Sequence, residues 1–128
     1  MAYTLVYTCL GRREPRRQLC WVGSSLEDVR GFSAKVRRII GFELDAVQRG
    51  MEPADWKPMT SVGLGVREIR IHVAGEHRVL YLTRFDEAVY VLHAFEKKSQ
   101  RTAKRDLALA EARYRLAFHR HLRRKEES

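Results

Sequence analysis

The sequence predicts an α+β domain in which an antiparallel sheet carries an N-terminal helical hairpin and a C-terminal helix. Three observations predict it. Apolar residues recur at helical spacing in two stretches, one running from Val36 to Val47 and one from Leu107 to Phe118. Three closely spaced segments between Val66 and Phe95 alternate at the period of a strand. Glycine, proline and acidic turn residues separate these segments. A chain of 128 residues, 45% of them hydrophobic, has room for one domain with one modest core. Residues 17–123 are assigned to that domain, residues 1–16 to an N-terminal extension and residues 124–128 to a flexible tail.

The elements follow in order. Tyr3 to Tyr7 alternates weakly and suits an edge strand, and Gly11 to Arg17 reads as a charged linker. Gln18 to Val22 is a short apolar run, expected as a strand. Ser24 with Glu27 has capping-box spacing and opens a short helix that Gly31 ends. Ser33 can cap a second helix, whose stripe is Val36, Ile40, Leu44 and Val47, with Gly50 as its stop. These two helices form the expected hairpin. Glu52 to Gly65, with Pro53, Pro58, Gly63 and Gly65, reads as loop. Val66 to Val73 puts Ile69, Ile71 and Val73 on one face and Glu68, Arg70 and His72 on the other. Arg78 to Phe85 and Val89 to Phe95 complete a meander through two tight turns. The last helix runs from about Thr102 to Leu122, with Leu107, Ala110, Tyr114 and Phe118 inward, and Arg123 to Ser128 is expected to fray.

Charge narrows the function classes. Twenty-five Lys/Arg against 16 Asp/Glu leave +9. Lys97 to Lys125 holds eleven Lys/Arg and only two acids, Asp106 and Glu111, and Arg12, Arg13, Arg16 and Arg17 form a second knot. Such asymmetry suits a polyanion or an acidic protein partner, or else a solvated cationic surface. No run of about 18 apolar residues spans a membrane. Met1 to Leu10 is too short, and flanked on the wrong side, for a signal peptide. Cys9 and Cys20 make neither a disulfide framework nor zinc-ligand spacing, so a reducing, cytoplasmic setting is expected.

Strand geometry groups His93, Phe95 and Lys97 on one strand and Glu68, Arg70 and His72 on another, with Arg78 opening the strand between them. If the meander pairs in order, an imidazole, two guanidiniums and an ammonium converge at one end of the sheet, where Lys57 can join them. This set suits RNA cleavage without a metal or other cofactor. A ribose 2′-OH attacks its own phosphate, a base takes the proton, an acid protonates the leaving 5′ oxygen, and cations hold the added charge. Phe95 either stacks a base or belongs to the core, and Arg70 either binds phosphate or pairs with Glu68, Asp86 or Glu87.

Trp21 to Arg30, Trp56-Lys57-Pro58, Val66 to Ile71, Arg78 to Tyr81 and Val91 to Gln100 resemble a phage-derived subfamily of the RelE/HigB toxins of type II toxin–antitoxin systems. His93-x-Phe95-x-Lys97-Lys98 is the most specific piece. The resemblance implies a RelE-like microbial ribonuclease fold and metal-independent cleavage of messenger RNA on the ribosome. It also implies neutralisation by a cognate antitoxin, commonly a small helix-turn-helix protein, in a toxin–antitoxin hetero-oligomer. Carried over by position, Arg70, Arg78, His93 and Lys97 are the catalytic candidates. Lys57, Phe95, Lys98, Arg67, Tyr81 and Lys104 are the RNA-binding candidates. A gyrase-inhibiting toxin of the ParE kind and a non-catalytic nucleic-acid-binding module are the alternatives.

Overall fold

The structure, a computed structural model, describes residues 7–10 and 16–127. Its elements are β1 (Tyr7–Leu10), β2 (Gln18–Val22), α1 (Ser25–Arg30), α2 (Ala34–Gln48), β3 (Trp56–Pro58), β4 (Val66–Ile71), β5 (His77–Leu82), β6 (Ala88–Glu96) and α3 (Lys104–Glu127). They build an α+β domain around one six-stranded sheet of order β1-β2-β6-β5-β4-β3.

Strand alternation sorts the core into two layers. Leu19, Trp21, Ile69, Ile71, Val79, Tyr81, Val89 and Val91 face Val36, Ile40, Leu44 and Val47 of α2. Cys20, Val22, Leu80, Leu82, Tyr90, Leu92 and Phe95 face Ala110 and Ala117 of α3, with Tyr114 and Phe118 at the margin. Each fully buried aliphatic side chain contributes roughly 1.5–3 kcal/mol. Ser33 caps α2 as its spacing predicts, its hydroxyl accepting from the Val36 N–H at 3.3 Å. Gly50 follows the last turn at φ +86°, a conformation in which glycine carries no steric cost.

Several expectations are corrected. The sheet is mixed, because β2 pairs parallel with β6 while the other pairs are antiparallel. The helical hairpin is absent. α1 has six residues, fewer than two turns, and packs on β6 and β2, while α2 packs on β4 and β6. Ser24 makes no capping bond; its hydroxyl is taken by Arg113 and Asp28 instead. The segment read as loop contains β3, which adds an edge to β4. α3 runs on to Glu127 rather than fraying from Arg123.

Tyr7–Leu10 is part of the sheet. β1 pairs with β2 in a register that sets Cys9 opposite Cys20, their Cα atoms 4.0 Å apart, and the two are joined by a disulfide. The expectation of unpaired cysteines missed this, because strand register is not visible in two isolated residues. Arg16 and Arg17 are anchors rather than linker. Arg16 pairs with Asp45 at 2.6 Å, and the Arg17 guanidinium donates to the carbonyls of Thr83 and Phe85. Tyr3, Arg12 and Arg13 lie outside the described residues, as does Ser128. No helix among the described residues is long and apolar enough to cross a membrane.

Candidate functional site

The site grows from one irregularity in strand pairing. Along β5 and β6, Leu80 opposes His93 but Tyr81 opposes Val91, so Leu92 is an extra residue at a bulge. Strict alternation would put His93 with Val89 and Val91, on the face toward α2. The bulge moves His93 and Phe95 to the α3 face. There the register forms two rows across the sheet: Lys57, Glu68, Leu80 and His93, then Arg70, Arg78 and Phe95.

The outer part of these rows is a cationic cluster around a buried carboxylate. Glu68 is 2% exposed, and its Oε1 lies 3.7 Å from Arg78 Nε, 3.9 Å from Arg70 Nε and 4.0 Å from Lys57 Nζ. Arg78 is buried too, donating to Glu76 Oε1 at 3.0 Å and to the His77 carbonyl. Glu76 bonds His72 Nδ1 at 2.8 Å, and His72 Nε2 meets Asp55 at 2.6 Å. Bonds to Asp55 and then Glu76 raise the His72 imidazole above its ordinary 6.5. Bonds from His72 in turn hold the Asp55 carboxyl below its ordinary range, and His72 with Arg78 does the same to Glu76.

Two adjoining cavities open beside this cluster. One, of about 400 Å³, is lined by Glu76, Arg78, Lys97, Lys98, Ser99 and Gln100. The other, of about 170 Å³, lies between the end of β6 and the start of α3, with Phe95, Arg101, Arg105 and Asp106 in its wall. Lys97, Lys98 and Ser99 border both. The Lys97 N–H donates to the Glu76 carbonyl at 2.7 Å and so fixes this lip beside the cluster.

The inner part of the rows is sealed under α3. His93 is 5% exposed and lines neither cavity. Its Nδ1 lies 3.2 Å from Arg113 Nη1 and its Nε2 lies 2.7 Å from Asp106 Oδ1. A guanidinium only donates, so Nδ1 carries the lone pair and Nε2–H donates to Asp106. Arg113 also donates to the Leu92 carbonyl and to Ser24 Oγ. Gly23, at φ +58°, leaves room for it, since a Cβ there would come within 2.6 Å of Arg113 Nε.

The structure therefore brings together Lys57, Arg70, Arg78, Lys97 and Lys98, and corrects the expected convergence for the rest. His93 is enclosed with both ring nitrogens bonded. Phe95 is 8% exposed and stacks on His93 with ring centroids 5.2 Å apart, yet it still reaches the smaller cavity. Arg67 and Tyr81 pair with each other on the opposite face. Arg67 lies over the Trp56 ring at 4.2 Å and borders a separate cavity of about 230 Å³. Tyr81 is fully buried in the α2 layer, and burial pushes its hydroxyl up to about 12 despite nearby Arg67. Lys104, the first residue of α3, is exposed and lines neither cavity on the α3 face.

Sequence reasoning missed Glu76 and Asp55 as partners of His72, and Asp106 and Arg113 as partners of His93. The alternation of Glu68, Arg70 and His72 was the available signal for the first set. No signal links His93 to residues 13 and 20 positions later on another element.

The model of the phage-derived Gp49-like protein family matches residues 27–115, a span that holds both cavities and His93, Asp106 and Arg113. No curated protein matches the chain. The chain belongs to the family of phage-derived Gp49-like proteins.

Proposed function

We propose that the chain is the toxin of a type II toxin–antitoxin system, of the RelE/HigB kind, and that it cuts messenger RNA on the ribosome by metal-independent attack of a ribose 2′-OH. The observation that carries this reading is the larger cavity, where Arg78, Lys97 and Lys98 meet one carboxylate, Glu76, backed by His72. The three cations take the non-bridging oxygens of a phosphate and stabilise the charge added on attack. Glu76, ionised at neutral pH, accepts the 2′-OH proton. His72, raised above the ordinary imidazole range, holds Glu76 in place through Nδ1, and Lys97 protonates the leaving 5′ oxygen. Arg70 and Lys57 flank Glu68, which lies 3.7 Å from Arg78 Nε and helps hold Arg78 in place. His93 acts as a positioning residue through Asp106. The basic surface from Lys97 to Lys125 suits an acidic antitoxin.

Expression in cells followed by mapping of transcript 5′ ends tests the reading. In-frame cuts within translated codons are expected, and they should vanish in the Lys97→Ala/Lys98→Ala variant. Growth arrest with intact messenger RNA and damaged DNA would instead favour a gyrase-directed toxin. Salt-sensitive RNA binding without toxicity would leave a binding module.

A further inference from the structure

We infer that the smaller cavity is a nucleobase subsite that selects guanine, with Asp106 as the group that reads the base. This inference rests on the phosphate assignment of the larger cavity. The two cavities share Lys97, Lys98 and Ser99, so a phosphate held in one places its attached nucleoside at the mouth of the other.

Three features of the smaller cavity argue for a base. Phe95, whose ring packs on His93, is in its wall, and an aromatic residue there can offer apolar surface to a planar ligand. Arg101 and Arg105 stand at the same cavity as donors. Asp106 is held by His93 through Oδ1 alone, and its Oδ2 makes no hydrogen bond among the described residues.

The tautomer of His93 then decides the chemistry. Arg113 occupies Nδ1 as a donor, so His93 must donate to Asp106 from Nε2. Asp106 therefore meets His93 as an acceptor and stands in the cavity wall. Guanine presents two adjacent donors, N1–H and the 2-amino group, on one edge, and two acceptors, O6 and N7, on another. Asp106 matches the first edge and Arg105 or Arg101 the second. Uracil offers one donor between two carbonyls, and the ring acceptors of adenine and cytosine would face a carboxylate. These three bases leave a charged group unmatched, which is the costly mismatch in a closed site.

Titration of the purified chain with the four nucleoside 3′-monophosphates, followed by amide chemical shifts, tests the subsite without any requirement for cleavage. Guanosine 3′-monophosphate should bind about tenfold tighter than the other three, with shifts at Phe95, Arg105 and Asp106. Asp106→Asn, which keeps an acceptor for His93, should reduce that preference to about twofold or less. Arg105→Ala, at an exposed position, should lower guanine affinity alone, whereas Lys97→Ala should weaken all four ligands together. Equal affinities, or a preference that survives Asp106→Asn in a folded protein, overturn the inference. Guanine selectivity in a chain that never cuts RNA supports the subsite and removes the nuclease reading. RNA cutting with four equal affinities removes the subsite and leaves the nuclease.

Discussion

The inner and outer parts of the two residue rows share one sheet face, yet they meet different surroundings. Under α3, Asp106 and Arg113 take both ring nitrogens of His93, and neither nitrogen of the imidazole is left for a ligand. Beyond α3, Arg78 and Arg70 surround Glu68 at 3.7–3.9 Å without a hydrogen bond, and Lys57 is half exposed. A buried charge with tight partners is structure, since disturbing it costs several kcal/mol. A cluster with surplus cations and an adjoining cavity retains the capacity to bind an anion. Cover by a helix, rather than residue type, separates the two.

The largest expected effect breaks the sealed side. Arg113→Ala removes the partner of His93, Asp28 and Ser24 at once, and should lower stability by about 3 kcal/mol or more in urea unfolding. A loss below about 1 kcal/mol would show that the network is not what holds α3 on the sheet. Next comes Gly23→Ala. It introduces a Cβ at φ +58° against Arg113 and should cost about 1–3 kcal/mol. An unchanged unfolding midpoint would mean that Arg113 moves aside freely.

On the cationic side the stability effect shrinks and the ligand effect grows. Glu68→Gln keeps the shape but removes the negative charge among Lys57, Arg70 and Arg78. It should cost about 1–2 kcal/mol and raise affinity for inorganic phosphate. Weaker phosphate binding in that variant would show that Glu68 orders the cations rather than competing with the ligand. Lys97→Ala/Lys98→Ala should leave stability within about 0.5 kcal/mol. It should also reduce the slope of log affinity for single-stranded RNA against log salt by about 1.4.

The smallest effect is a titration. The folded His72 lies above its ordinary 6.5, so its contribution is fully present below that value and fades as pH rises through the raised value. Asp55 and Glu76 are lowered from 3.8 and 4.5, so theirs is present above those values and lost as pH falls through the folded ones. The bridge is intact between the two limits. Nuclear magnetic resonance of the His72 ring should show a midpoint above 6.5. A midpoint at or below it would disconnect His72 from the carboxylates and from its hold on Glu76.

Much of this architecture was legible in the chain. The α2 stripe, the Ser33 cap and the three alternating strands of the meander follow from local periodicity, which depends on backbone geometry alone. Arg70 and Arg78 could be set side by side because cross-strand neighbours in a tight meander are close in sequence as well as in space. The parallel pairing of β2 with β6 and the Cys9–Cys20 bridge were not legible, because nothing near those residues encodes a distant partner.

The sequence by itself determined the stripe of α2, the three strands of the meander, the last helix and the concentration of cations between Lys97 and Lys125. Those properties belong to residues and their near neighbours. Only the tertiary structure decided which side of the sheet His93 and Phe95 occupy, through one extra residue at Leu92. A strand has period two, so a single bulge inverts every side chain beyond it. That inversion placed His93 under α3 with Asp106 and Arg113. The larger cavity was left to Arg78, Lys97, Lys98 and Glu76.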